Sequence, residues 1–355
     1  MRLLIVTNDY PPKLGGIQMY LSNLVDAYPD DVHVFAPADT EAELHEDGVT
    51  RGSRSYMLPT STTASAITDV AEEFEPDAIL FGAPHPLPFL GARLRESTGT
   101  PIGVLSHGAE VTIPGAIPIV RQVLGRSLAS ADVRFAVSRY TARKVQGISG
   151  KHVDILGAGV AIESFTPPEP PPVNDPPVVG CVSRFVPRKG QERLIEAAAR
   201  LDREVQLLFV GKGRTQEKLQ RLAESKGVNA RFEIDVPWGD LAGLYQQMDI
   251  FCMPCKSRWG GLEVEGLGLV FLEAAATGIP VLAGDSGGSP ETVLPGKTGY
   301  VVSNVDTIVE GLEILISDPE RARALGVEGR RFVESEFTWE RVIERLYAGF
   351  VPHLG

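Results

Sequence analysis

What most restricts the fold of this chain is the grouping of its apolar residues. Short runs rich in Val, Ile, Leu and Phe alternate, along all 355 residues, with segments whose apolar residues recur at helical spacing. In the first half the runs are RLLIVT, VHVFA, AILFGA, PIGVLS, VRFAVS and VDILG; in the second they are VVGCVS, VQLLFVG, RFEID, DIFCMP and PVLAG. Apolar strands separated by helices are those of parallel sheets covered on both faces. Between the two series lies TPPEPPPVNDPP, residues 166–177, in which seven of twelve residues are proline. Proline lacks an N–H for a ladder and stiffens the chain, so this stretch reads as a linker. The expected fold class is therefore α/β, with two doubly wound Rossmann-like domains facing a cleft. The domains span 1–166 and 178–336, joined by a Pro-rich linker at 167–177, and a C-terminal helix at 337–355 packs back toward the first domain.

Composition excludes several functions. The net charge of −12 opposes general nucleic-acid binding, which needs basic surface to neutralise phosphates. One basic stretch stands out: seven Lys and Arg between Arg121 and Lys151, against the single acid Asp132. The N-terminal LLIV is too brief for a signal-peptide core, and no uncharged apolar run approaches the roughly 18 residues of a membrane span, so a cytosolic location is expected. Cys181, Cys252 and Cys255 are an odd number, which argues against a disulfide framework. Cys252 and Cys255 form a C-x-x-C, but one such pair supplies half of a tetrahedral metal site.

Four features fall at strand ends, where doubly wound sheets gather their ligands. Gly15 and Gly16 open a helix after the first strand, where they let a ligand approach the backbone or simply make a tight turn. His107, after PIGVLS, is either a hydrogen-bonded structural residue or a group that exchanges protons with a hydroxyl near neutral pH. Arg184 and Lys189 precede a helix whose N-terminus is already positive; they are solvated charges or they await an anion. Finally, LEVEGLGLVFLEAAATG sets Glu265 and Glu273 eight residues apart in an otherwise apolar segment. A core helix would avoid both, because an ionised carboxylate stripped of water costs several kcal/mol unless paired. The glycines place the helix start near Gly268 and its end at Thr277–Gly278. Amides of Gly268, Leu269 and Val270 can then take phosphate oxygens, and a carboxylate can accept from a ribose diol.

With these residues assembled, the sequence resembles the retaining glycosyltransferases of the GT-B fold in glycosyltransferase family 4, marked by an E-x7-E motif, here Glu265 to Glu273. SRFVPRKGQE is similar to the R-x4-K donor motif of that group, GKG at 211–213 to its G-x-G turn, and GGIQMYL to its glycine loop. More narrowly, VTNDYPPKLGGIQ, VPRKGQE and the stretch around Glu265–Glu273 resemble actinobacterial enzymes that add mannose from GDP-mannose to phosphatidylinositol monomannoside. The resemblance implies an acceptor-side first domain and a donor-binding second domain. In it, Arg184 and Lys189 hold the diphosphate, Glu273 binds the ribose, Glu265 the transferred sugar, and His107 contacts that sugar's hydroxyls. The backbone near Val236 meets guanine, and Gly16 approaches the diphosphate. The resemblance also implies no cofactor and no obligatory metal. The implied partners are a nucleotide-sugar donor, a glycolipid acceptor and an anionic membrane surface, with the enzyme peripheral at the inner face of the plasma membrane and no nucleic acid bound.

Two departures fall in the first domain: Ala109 stands where such mannosyltransferases commonly have a second His, and the segment 111–128 differs. Both bear on the acceptor. In that segment Ile117, Val120, Val123, Leu124 and Leu128 form a helical stripe with Arg121 and Arg126 outside it, read as a core face rather than a membrane face. Two other functions share parts of this pattern. A nicotinamide-dependent oxidoreductase would need G-x-G-x-x-G, and GKGRTQ stops after two glycines. A non-catalytic sugar-nucleotide-binding protein would use the same donor residues. A different nucleotide-sugar donor or a soluble acceptor is the other reading of the same site.

Overall fold

The computed structural model describes residues 1–13, 15–42, 46–172 and 174–354. They form two units, one of Met1–Gly159 with Trp339–Gly355, the other of Val160–Thr338. The first unit holds strands β1 (Leu3–Val6), β2 (Val32–Ala36), β3 (Val49–Arg51), β4 (Ala78–Phe81), β5 (Ile102–Ser106), β6 (Val133–Ala136) and β7 (Asp154–Ile155). They build a parallel sheet of order β3-β2-β1-β4-β5-β6-β7. Its helices are α1 (Gly16–Asp26), α2 (Ser61–Phe74), α3 (Gly91–Thr98), α4 (Ala109–Gly115), α5 (Pro118–Ser130) and α6 (Arg139–Ser149). β1, β4 and β5 are buried along their whole length, because helices cover both faces of the sheet. Thr60 and Ser138 start α2 and α6 by accepting from the amides of Thr63 and Thr141, which satisfies one otherwise orphaned donor at each end.

The second unit repeats the plan with β8 (Val178–Val182), β9 (Gln206–Val210), β10 (Ala230–Glu233), β11 (Ile250–Met253), β12 (Val281–Gly284) and β13 (Gly299–Val302), in the order β10-β9-β8-β11-β12-β13. Its helices are α7 (Gln191–Ala198), α8 (Gln216–Lys226), α9 (Leu241–Tyr245), α10 (Leu269–Ala276), α11 (Val305–Ser317) and α12 (Pro319–Glu336). Sequence reading missed β3 and β13, one edge strand of each sheet, which are only three and four residues long and include half-exposed positions.

The division between units differs from the expected one. It falls at Gly159/Val160 and Thr338/Trp339, and the proline-rich stretch lies within the second unit. Side chains dock that stretch and the residues leading into it: Gln246 donates to the Thr166 carbonyl at 2.9 Å, and Phe165, just before it, is buried with its ring 5.6 Å from that of Tyr245. Arg330 donates to the carbonyls of Ile162 and Phe165 at 3.0 and 2.6 Å, and Asn174 donates to Asp249 at 2.9 Å. Proline composition carries no signal for this docking.

The last helix, α13 (Trp339–Phe350), belongs to the first unit. Trp339, Val342, Ile343, Leu346 and Phe350 form its buried stripe. The Phe350 ring lies 5.6 Å from that of Phe135 and covers Gly103, where any Cβ would collide with it. Phe350 is fully buried, so Phe350→Ala should destabilise the first unit by about 3–5 kcal/mol. A urea titration that left its midpoint unchanged would contradict this packing.

Candidate active site

In the second unit strand order reverses between β8 and β11, the position where an open parallel sheet splits to admit a ligand. The loops leaving those two strands are joined, the Lys256 amide donating to the Arg188 carbonyl at 2.8 Å. Within the first loop Phe185 is fully buried, and the Gln191 side chain donates to Ser183 Oγ and the Arg184 carbonyl at 2.9 and 3.0 Å. With those points pinned, Lys189 turns inward and is buried, whereas Arg184 is exposed and, among the described residues, has no side-chain partner.

Glu265 comes from the second loop and meets Lys189. Its Oε2 lies 2.7 Å from Lys189 Nζ and 2.6 Å from Arg188 Nη1. Burial alone would raise the Glu265 pKa, but the charges of Lys189 and Arg188 outweigh it and hold the carboxyl below the ordinary glutamate range. Arg188 also lies 3.9 Å from Glu263, which is paired with Arg258 at 2.7 Å. Sequence reasoning paired Arg184 with Lys189 and passed over Arg188; the only signal for it was its adjacency to Lys189.

Glu273 sits within α10, buried, and its Oε2 accepts from the Tyr245 hydroxyl at 2.7 Å. Burial pushes its pKa up to about 7, with the Tyr245 hydrogen bond acting the other way. Tyr245, on α9, also reaches the Val270 carbonyl at 3.3 Å. Nothing local in the sequence announced this tyrosine. Helix α10 is entered through Gly268 in the left-handed region at φ 95°, a conformation that favours glycine. The amides of Gly268, Leu269 and Val270 donate to no described residue, so three N–H groups are available at a helix N-terminus.

Val236 lies in the wall of an open groove of about 600 Å³, with Glu233, Asp235, Asp240 and Leu244 among its neighbours. Beside it, GKG brings the loop after β9 against the loop after β8. A Cβ at Gly211 would collide with the Ser183 carbonyl, and one at Gly213 with the Phe185 backbone. These glycines serve close packing of two loops, which explains why the pattern stops short of a dinucleotide fingerprint.

The first unit carries the other two predicted residues. Gly16 is the first residue of α1; it is exposed, and a Cβ there would meet nothing within 4 Å. His107 follows β5, its Nε2 3.0 Å from the Gly82 carbonyl and its ring edge-on to Tyr20 at 5.2 Å. A carbonyl only accepts, so Nε2 carries the proton and Nδ1 is the free acceptor. Burial lowers the His107 pKa, against Glu110, the Gly82 hydrogen bond and Asp9, so the neutral ring is favoured. Glu110 in turn accepts from the amides of His107 and Gly108.

The helical stripe at 117–128 is corrected. Leu124 and Leu128 are buried, but Ile117, Val120 and Val123 are exposed, as are neighbouring Ile113 and, at 77 %, Ile119. Gly125 leaves room for the Ile148 carbonyl of α6 in the later turns of α5, whereas residues 117–123 at its start are exposed. Two of the basic residues are spent on backbone. Arg134 caps the carbonyls of Leu128, Ala131, Asp132 and His152, and Arg121 reaches that of Gly147. Cys252 and Cys255 are both buried, and burial pushes the Cys255 thiol up to about 12.

Solved structures share this architecture. Anabaena HepE in complex with UDP and glucose superposes with a TM-score of 0.81 over 99 % of this chain and 100 % of that one, at 19 % identity. Sucrose-phosphate synthase from Thermosynechococcus elongatus gives 0.81 over 99 % of each, at 21 % identity. The class is that of the GT-B glycosyltransferases. Residues 14–164 match the model of Glycosyltransferase Family 4 and residues 164–332 that of Glycosyl transferases group 1. The chain is 41 % identical, over 97 % of its length and 96 % of the relative's, to the GDP-mannose-dependent monoacylated alpha-(1-6)-phosphatidylinositol monomannoside mannosyltransferase of Corynebacterium glutamicum. It is 40 % identical, over 95 % of each, to the GDP-mannose-dependent alpha-(1-6)-phosphatidylinositol monomannoside mannosyltransferase of Mycolicibacterium smegmatis. This chain belongs to the family 4 glycosyltransferases and is an enzyme of that family.

The raised Glu273 pKa has a measurable consequence for stability. Between the ordinary glutamate value of 4.5 and about 7 the folded chain holds a proton that the unfolded chain has released, so this group's contribution falls as pH rises through that window. Glu273→Gln keeps an acceptor for Tyr245 and removes the charge. The variant should gain stability relative to the parent as pH rises from about 4.5 to about 7, the gain levelling off above that. Urea melts of both at each pH check this; parallel pH profiles would refute it.

Proposed function

We propose that this enzyme moves mannose from GDP-mannose to a phosphatidylinositol mannoside or similar glycolipid, with retention of the anomeric configuration, at the cytoplasmic face of a membrane. The observation that carries the chemistry is the buried Arg188–Glu265–Lys189 cluster beside the free amides of α10. The donor and acceptor are taken from relatives at 41 % and 40 % identity.

In this reading the donor diphosphate takes Lys189, Arg188 and the amides of Gly268, Leu269 and Val270, with Arg184 closing from solvent and Gly16 leaving room at the start of α1. Glu265, released from its cations, accepts from hydroxyls of the transferred sugar. Glu273 accepts from the ribose, and the groove beside Val236 takes guanine. The bond between the anomeric carbon and the β-phosphate oxygen breaks while the acceptor oxygen bonds to that carbon from the same face. The acceptor's proton passes to the departing phosphate, and GDP leaves. The cations offset the charge that builds on GDP, so no metal is required. Neutral His107 accepts through Nδ1 from a sugar hydroxyl near the reacting carbon.

Membrane attachment is assigned to the uncovered turn of α5. Ile113, Ile117, Ile119, Val120 and Val123 would enter the headgroup boundary, and Arg126, Arg143 and Lys144 would face anionic lipid, each contributing on the order of 1 kcal/mol.

Two experiments test the reading. GDP-mannose with phosphatidylinositol monomannoside should release GDP in the presence of EDTA. GDP should raise the melting temperature more than UDP does, by mass action on the folded state. A larger shift with UDP would overturn the donor assignment. In the second, sedimentation with phosphatidylglycerol vesicles should weaken with salt and with Ile119→Asp or Arg126→Glu. Binding indifferent to all three would remove the membrane assignment.

A further inference from the structure

The loop that carries Glu265 also presents an indole to solvent. Arg258 and Glu263 pair as a short antiparallel bridge, with backbone hydrogen bonds of 2.9 and 3.3 Å, and Trp259 stands at its tip. Trp259 is 63 % exposed and held at φ 51°, the left-handed region that a bulky residue rarely adopts. One face of its ring is covered by the Arg258 guanidinium at 4.6 Å from the centroid, and Arg258 is fixed by Glu263 at 2.7 Å. Glu263 approaches Arg188 at 3.9 Å, and Arg188 binds Glu265 at 2.6 Å. An unbroken run of contacts therefore links an exposed aromatic face to the carboxylate assigned to the transferred sugar. So exposed a ring buries little apolar surface; the turn closed by the Gly261 amide on the Arg258 carbonyl at 3.0 Å accounts for the positive φ of Trp259 and Gly260, but it gives no reason for an indole at that position.

We propose that Trp259 is a stacking platform for the sugar or cyclitol ring of the acceptor. The inference rests on the reading of Glu265 as the group beside the transferred sugar. Transfer requires the acceptor oxygen within about 3–3.5 Å of the anomeric carbon, so the ring bearing that oxygen lies against whatever borders Glu265. The C–H faces of such rings are apolar and fit the electron-rich face of an indole. Arg258 occupies the other face, which leaves one side for a ligand and fixes the tilt of the ring. Donor base stacking is assigned elsewhere, to the groove beside Val236, on a different segment.

The test uses the whole chain with GDP-mannose as donor and detergent-dispersed phosphatidylinositol monomannoside as acceptor. Trp259→Ala should raise the acceptor KM about tenfold and leave the GDP-mannose KM and the GDP-induced melting shift within about twofold. Trp259→Phe should restore most of the loss. Methyl α-D-mannopyranoside should quench tryptophan fluorescence in the parent and less in Trp259→Phe. An unchanged acceptor KM overturns the proposal. So does an equal rise in donor KM, which would make Trp259 a donor contact, or weaker vesicle binding by Trp259→Ala, which would make it a membrane contact. If GDP produces no melting shift in the parent, the donor reading fails first and this proposal with it; a normal shift with an unmoved acceptor KM rejects Trp259 alone.

Discussion

The site depends on a carboxylate removed from water between two cations. Neither Glu265 nor Lys189 has much access to solvent, and either one left without the other would carry an uncompensated buried charge costing several kcal/mol. The pairing makes the burial tolerable, and it also sets a condition on function. Glu265 can leave Lys189 and Arg188 only if another anion arrives to replace it. On the proposed function a diphosphate is such an anion, and the three free amides at the start of α10 would extend its seat. With two cations against one carboxylate, the cluster keeps a surplus positive charge even when empty.

The second carboxylate shows how far environment alone separates two glutamates one short helix apart. Glu265, among cations, has its carboxyl held below the ordinary glutamate range; Glu273, buried with one phenol donor, has its carboxyl pushed up to about 7. The first is suited to a site where charge changes during reaction. The second is suited to gripping a neutral diol, where an acceptor is needed and a fixed charge is not.

Much of this was legible in the sequence, for identifiable reasons. Parallel strands buried on both faces are uniformly apolar, so the central strands of both sheets declared themselves, as did the edges β7 and β10, while β3 and β13 at the opposite edges, short and half-exposed, did not. Glycine rules placed the ends of α10 within a residue, because Gly268 and Gly278 occupy left-handed positions that few other residues adopt. Glu265 and Lys189 could each be named, but their mutual pairing is a long-range fact, set by the joining of loops after β8 and β11. Arg188 and Tyr245 escaped for the same reason: each acquires its role only from a partner distant in the chain. The α5 stripe misled because periodicity shows which residues share a face and not how far along the helix a neighbour covers it.

The placement of α13 bears on how the chain is made as well as on how it is held. Phe350, which fills the space over Gly103 in the first unit, is encoded after every residue of the second. During synthesis the second unit can be complete while the first still lacks part of its core. The domain begun first is finished last, and until the ribosome has delivered α13 the strand that leads to His107 has an open apolar face beneath Gly103.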